Sequence, residues 1–214
     1  MDVRVLFIFI FNLFFLENSR CNVKLDSLRN SNIIKSIIFK NIDEKYQFPI
    51  ININEKFFLS FDDISNQDND YYYKIFHYDY NWTKSKLFKN EYIHGFDNQR
   101  ITEIKSSFGT KQTYTNYKLE LPNGELKFLK TGNYKIKIFN SDDKLVFERK
   151  FLIVDQKIKI SSKINRSNII NNIATHQRIN FIIEPIDFFI QDPENQIKIL
   201  IIQNFQWDKV INNI

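Results

Sequence analysis

The sequence predicts an all-β protein: an immunoglobulin-like β-sandwich followed by an incomplete second β-domain. Two observations carry this. From residue 32 onward the apolar residues come in short runs of strand length, separated by turn residues, and no segment sustains a helical period. Several runs also alternate apolar with polar residues, as side chains do along extended backbone. Roughly seven or eight such strands within about 100 residues match the sandwich pattern.

The runs in order are 33–39, 49–53 and 56–61, the last two broken by Asn54 and Glu55. Asp62 and Asp63 and the polar tract 65–70 then predict a loop. In the strand 71–78, Tyr71, Tyr73 and Ile75 share one face, and Tyr72, Lys74 and Phe76 share the other. The pattern breaks at 79–81, and an aromatic-rich excursion follows, with room for a short helix in 83–92. Residues 100–107 alternate loosely, and Phe108 and Gly109 mark a turn. The strand 113–121 sets Tyr117, Leu119 and Leu121 against Lys118 and Glu120. Pro122, Asn123 and Gly124 predict a turn, because Asn-Gly tolerates positive φ. Residues 132–139, GNYKIKIF, and 145–154 then form a hairpin across the turn 140–143. At Asp155 and Gln156 the pattern restarts. Strands are expected at 157–164, 176–185 and 196–204, with Trp207 beyond them. Three strands do not close a sandwich, so residues 156–214 read as a truncated second domain after a first domain at 23–155.

Apolar residues make up 43% of the 214-residue chain and aromatics 16%, including 22 Phe, which is ample for a packed core. The net charge of +5 comes from lysines spread through every segment. Nucleic-acid binders instead gather Lys and Arg on one face, so no nucleic-acid partner is expected. Residues 1–20 read as a signal peptide. A short basic start precedes the apolar run 5–16 and a polar stretch 17–20, and the run is too short to span a bilayer of about 30 Å. Cleavage is expected near Ser19 to Cys21. Cys21 is the single cysteine, which excludes an internal disulfide and a cysteine-based zinc site. Export without disulfides points to a bacterial periplasm.

No catalytic motif is present. His77, His94 and His176 stand in no ligand spacing, there is no glycine-rich phosphate loop, and no GxSxG elbow occurs. Asp62, Asp63, Asp68 and Asp70 bracket one loop but match no EF-hand spacing, so they read as turn residues. The protein is expected to be non-enzymatic, without cofactor, metal or small-molecule substrate. The segment 70–96 holds six of the ten tyrosines and one of the two tryptophans. Rings in a stretch without periodicity either anchor a partner or pin the loop to the core, and Tyr80, Trp82, Tyr92 and Phe96 are the candidates. A carbohydrate-binding module, using exposed rings to stack on sugars, is the alternative.

The motifs LSFDDI (59–64), YYYKIFHYDYNW (71–82) and EYIHGF (91–96) stand in a fixed order with GNYKIKIF (132–139), RKFLIVDQKIKIS (149–161) and THQRINFII (175–183). In that order the chain resembles the plug proteins of the type IX secretion system, a Bacteroidota family formerly listed as a domain of unknown function. The resemblance spans about 32–207. It implies a periplasmic protein whose first domain is an immunoglobulin-like sandwich. It further implies a partner, the large outer-membrane β-barrel translocon, whose periplasmic mouth the protein closes.

Overall fold

The computed structural model describes residues 33–42, 50–67, 69–202 and 211–212. The predicted signal segment, Asp68 and Trp207 lie outside the described residues. One compact unit spans Leu28–Gln191, and at its centre are the two sheets the sequence predicts. The first runs β1 (Ile34–Asn41), β3 (Phe57–Asp63), β8 (Thr115–Leu121) and β7 (Glu103–Ser106) in that spatial order, all antiparallel. The second runs β2 (Ile50–Asn52), β11 (Leu145–Val154), β10 (Gly132–Asn140), β4 (Tyr71–Tyr78) and β6 (Gln99–Arg100). In the second sheet β2 is parallel to β11, and the remaining pairs are antiparallel.

The alternation read from sequence decides which residues meet between the sheets. In β4, Tyr71, Tyr73, Ile75 and His77 are buried; in β8, Thr115, Tyr117, Leu119 and Leu121 are; in β10, Tyr134, Ile136 and Ile138 are. Rings from the two sheets meet between them: Phe61 joins Tyr71 at 5.2 Å and Phe147 at 5.0 Å edge to face, and Phe57 meets Phe151 at 5.4 Å in a tilted pair. Each such ring removes roughly 150–250 Å² from water. Tyrosine hydroxyls in this core need acceptors. Tyr117 donates to the Asn69 carbonyl at 2.6 Å, and Tyr71 donates to Asp63 at 2.8 Å.

Asp63 ends β3 as a buried carboxylate. It also accepts from the Ser65 amide and the Asn69 amide group, both at 2.8 Å. Burial alone would raise its pKa, but these hydrogen bonds together outweigh it and hold the group below its ordinary value. The predicted turn after β8 is present for a different reason than the one read from Asn-Gly. Neither Asn123 nor Gly124 has positive φ. Instead the Asn123 side chain accepts from the Glu125 and Leu126 amides, both at 2.9 Å.

Three short elements have no periodicity to reveal them. β5 (Ile93–Gly95) pairs with β9 (Leu126–Phe128), and β6 pairs with β4 over two residues. The helix allowed within 83–92 is one turn, α1 (Lys89–Tyr92). After the sandwich, β12 (Ile158–Arg166) and β13 (Gln177–Pro185) form an antiparallel ribbon with a 3₁₀ turn (Ile170–Asn172) between them. A second unit takes in residues 192–214. Its described part holds α2 (Pro193–Gln196), capped by Asp192 at the Asn195 amide, and the pair β14 (Leu200–Ile201) and β15 (Ile211–Asn212).

Candidate functional site

The aromatic excursion between β4 and β6 folds back along the outer edge of β4 and closes it. An open strand edge invites pairing with other chains. Here the edge groups of β4 are taken one after another. The Ser85 amide donates to the His77 carbonyl at 3.2 Å, and the Tyr92 hydroxyl to the Ile75 carbonyl at 3.3 Å. The Ile75 amide donates to the Asp97 carboxylate at 2.7 Å. The Asn98 and Ile101 amides reach the Tyr73 and Tyr71 carbonyls at 2.6 and 2.8 Å.

The path begins with a tight turn. The Trp82 amide donates to the Asp79 carbonyl at 2.9 Å, and the Asp79 amide to the Thr83 carbonyl at 2.8 Å. Trp82 has φ +63°, a left-handed conformation rare for a bulky residue, which costs about 1–3 kcal/mol. Its half-buried ring lies 6.1 Å from Tyr78 and under the Lys150 ammonium at 4.9 Å. Before α1 the Glu91 carboxylate turns back to accept from the Phe88 amide at 2.7 Å. Tyr92 then enters the core, 6.1 Å from Tyr134 and 5.5 Å from His77. Burial first, and the Asp97 carboxylate second, push the Tyr92 phenol above its ordinary pKa.

Gly95 is required where it stands. It has φ +95°, and a Cβ there would lie 1.8 Å from the Glu125 carbonyl oxygen. That approach lets Phe96 donate its amide to the same carbonyl at 3.1 Å. The Asp97 side chain is covered, 4% exposed, with its second oxygen bound by the Lys89 ammonium at 2.5 Å. His77 plays a similar structural part. Its Nε2 lies 3.2 Å from the Thr131 carbonyl, against Gly132 at φ +141°.

The four residues singled out from sequence are therefore divided by exposure. Tyr92 is in the core and Trp82 is half covered, while Tyr80 and Phe96 are 57% and 78% exposed. Phe88, which sequence reasoning passed over, is 77% exposed beside them in sequence. The two polar residues that hold the excursion, Asp97 and Glu91, carried no signal of their own; Gly95 before an aromatic was the one available hint. Among the described residues no group of three or more His, Cys, Asp or Glu is placed to hold a metal ion, and no helix is long and apolar enough to cross a membrane.

The described residues thus define an all-β domain, two sheets of a β-sandwich in which the chain itself closes the edge of β4. The family described as "Type 9 secretion system plug protein 1st domain" matches residues 34–155, from the first strand of the sandwich to the end of β11. The chain belongs to this family. Among solved structures it is similar to a hypothetical protein from Parabacteroides merdae, with 31% identity and a TM-score of 0.78. The match covers 86% of this chain and 47% of that one, so this chain spans about half the length of its relative. A Pseudomonas fluorescens alkylpurine DNA glycosylase matches at 12% identity and a TM-score of 0.31, over 56% of this chain and 30% of that one, too low to speak for the fold. The curated proteins contain no match.

Proposed function

We propose that this protein is a non-enzymatic periplasmic plug that binds the outer-membrane translocon barrel of the type IX secretion system and closes its channel. The observation that carries the reading is the family match, which runs over the whole sandwich. Export by the segment 1–20 and a second β-domain at 156–214 are parts of the same proposal. A plug needs a rigid body and a releasable contact rather than a reaction. The sealed edge of β4 supplies rigidity, because it removes the backbone groups through which the sheet would otherwise add strands. Tyr80, Trp82 and Phe96 serve as contact rings at the rim of that seal, with Tyr92 supporting them from the core. A few aromatic anchors within a polar rim are how protein interfaces concentrate affinity.

The test is capture of the full chain from envelopes of the source bacterium. Enrichment of a very large outer-membrane β-barrel supports the reading. Capture that leaves the barrel in the unbound fraction sinks it. The exposed rings Tyr80, Phe88 and Phe96 also fit a weaker second reading, a carbohydrate-binding module. A titration with polysaccharides that leaves the tryptophan fluorescence unchanged removes it.

A further inference from the structure

The two outer faces of the sandwich differ in charge. On the face of the first sheet, charges of both signs are interleaved. Lys118 stands between Glu120 at 2.6 Å and Glu103 at 3.8 Å, and Asp62 accepts from Asn116 at 2.7 Å. The face of the second sheet is built differently. Lys74, Lys84, Lys135, Lys137 and Lys150 lie along β4, β10, β11 and the start of the excursion, against two carboxylates: Glu148 among them and Asp143, in the turn after β10, at 2.7 Å from Lys74.

These lysines are held by rings. Lys74 sits 4.4 Å from the Phe139 centroid, Lys135 5.2 Å from Tyr78, and Lys137 5.3 Å from Phe76. Lys135 and Lys137 share Glu148 at 2.8 and 3.2 Å, and their side chains are 18% and 24% exposed. The ammonium groups are thus fixed over aromatic stems in a pattern. Mobile lysines reaching into solvent suit the diffuse charge of a membrane surface. Fixed ones half covered by rings suit carboxylates that are themselves fixed on a protein. Trp82, under Lys150, joins this face to the rings beside the sealed edge.

We propose that the outer face of β4, β10 and β11 is a docking surface for an acidic protein, its lysines receiving carboxylates and its rings covering the apolar atoms between them. The proposal rests on the plug reading only in naming the translocon as the protein that presents those carboxylates.

The experiment has two arms. In the first, the full chain is titrated with poly-L-glutamate and the amide shifts are mapped by NMR. Shifts are expected on outward positions of β4, β10 and β11. The variant Lys74→Glu/Lys84→Glu/Lys150→Glu, which leaves the Glu148 pairs in place, is expected to weaken binding about tenfold or more. Lys35→Glu/Lys40→Glu/Lys105→Glu, on strands of the other sheet, is expected to change it less than about twofold. No binding, shifts on the other sheet, or equal loss in both variants overturns the proposal. Binding to phosphatidylglycerol vesicles without binding to the peptide overturns it in favour of a membrane. In the second arm, the same variants are used for barrel capture. If the wild-type chain binds the peptide through this face yet captures no barrel, the plug reading fails and the acidic-protein surface stands. If barrel capture is untouched by the first variant, the surface is not the docking face and the plug reading stands.

Discussion

The excursion at 79–98 and the β12–β13 ribbon are opposites in pattern and in fate. The excursion has no period, yet it carries Tyr92 and Ile93 into the core and closes the edge of β4. The ribbon has nearly ideal alternation. Ile158, Ile160 and Ile164 lie on one face opposite Pro185, Ile183 and Ile179, yet Ile160 is 66% exposed and Ile164 62%. Periodicity therefore reports which side chains share a face, and does not report whether that face is covered. Burial follows from complementary partners: open carbonyls on β4, a glycine that lets backbones touch, and a carboxylate at the right depth.

The largest expected effect tests the glycine. Gly95→Ala places a Cβ on the Glu125 carbonyl at a backbone angle that L-residues avoid, so unfolding in urea should show a loss of roughly 3 kcal/mol or more. A loss under about 1 kcal/mol would mean that β5 and β9 shift freely and the seal is soft. Next is Asp97→Ala, which leaves the buried Ile75 amide without its acceptor. A cost of about 1–3 kcal/mol is expected, while barrel capture by the folded fraction persists.

The third prediction concerns pH. Burial raises the phenol pKa of Tyr71, Tyr73, Tyr92 and Tyr134, so the folded chain keeps these groups neutral where the unfolded chain ionises them. Stability from this source is full below about pH 10 and falls as pH rises above it. At the acid end Asp63 acts in the opposite sense. Its depressed pKa contributes stability above about pH 4 that is lost as pH falls through the folded value. Denaturation midpoints across the two ranges check both, and Asp63→Asn should flatten the acid limb alone.

A smaller effect separates strain from contact at Trp82. Trp82→Gly relieves the left-handed backbone and Trp82→Ala does not, so the glycine variant should be more stable than the alanine variant by roughly 1 kcal/mol. Both should weaken barrel capture if the ring is an anchor. The smallest effect belongs to the ribbon: Ile160→Ser should change stability by no more than about 0.5 kcal/mol. A cost above about 2 kcal/mol would show that this face is covered in solution, and the contrast between the two regions would collapse.

The long strands were legible because alternation in β4, β8 and β10 is a property of the chain itself. The turn at Asn123 was legible in place but not in mechanism, since an Asn side chain closes it where positive φ was expected. The edge seal was not legible. Asp97 binds an amide 22 residues away in sequence, and no local pattern encodes such a pairing. Tyr92 and Phe96 looked alike in a shared aromatic stretch. They part because one follows a helical turn into the core and the other follows the bend at Gly95 outward.

The seal on β4 also bears on the order of folding. Its contacts close over short separations, from 8 residues between His77 and Ser85 to 30 between Tyr71 and Ile101. The other edge of β4 waits for β10, which begins at Gly132. Short loops close in microseconds, and distant strand pairing is slower. A chain folding from its N-terminus thus meets its own excursion before it meets β10. In pulse-labelled hydrogen exchange the Ile75 and Asn98 amides should be protected ahead of those of β10. The strand is then shielded on its outward side during the interval when it is most able to pair with the wrong neighbour.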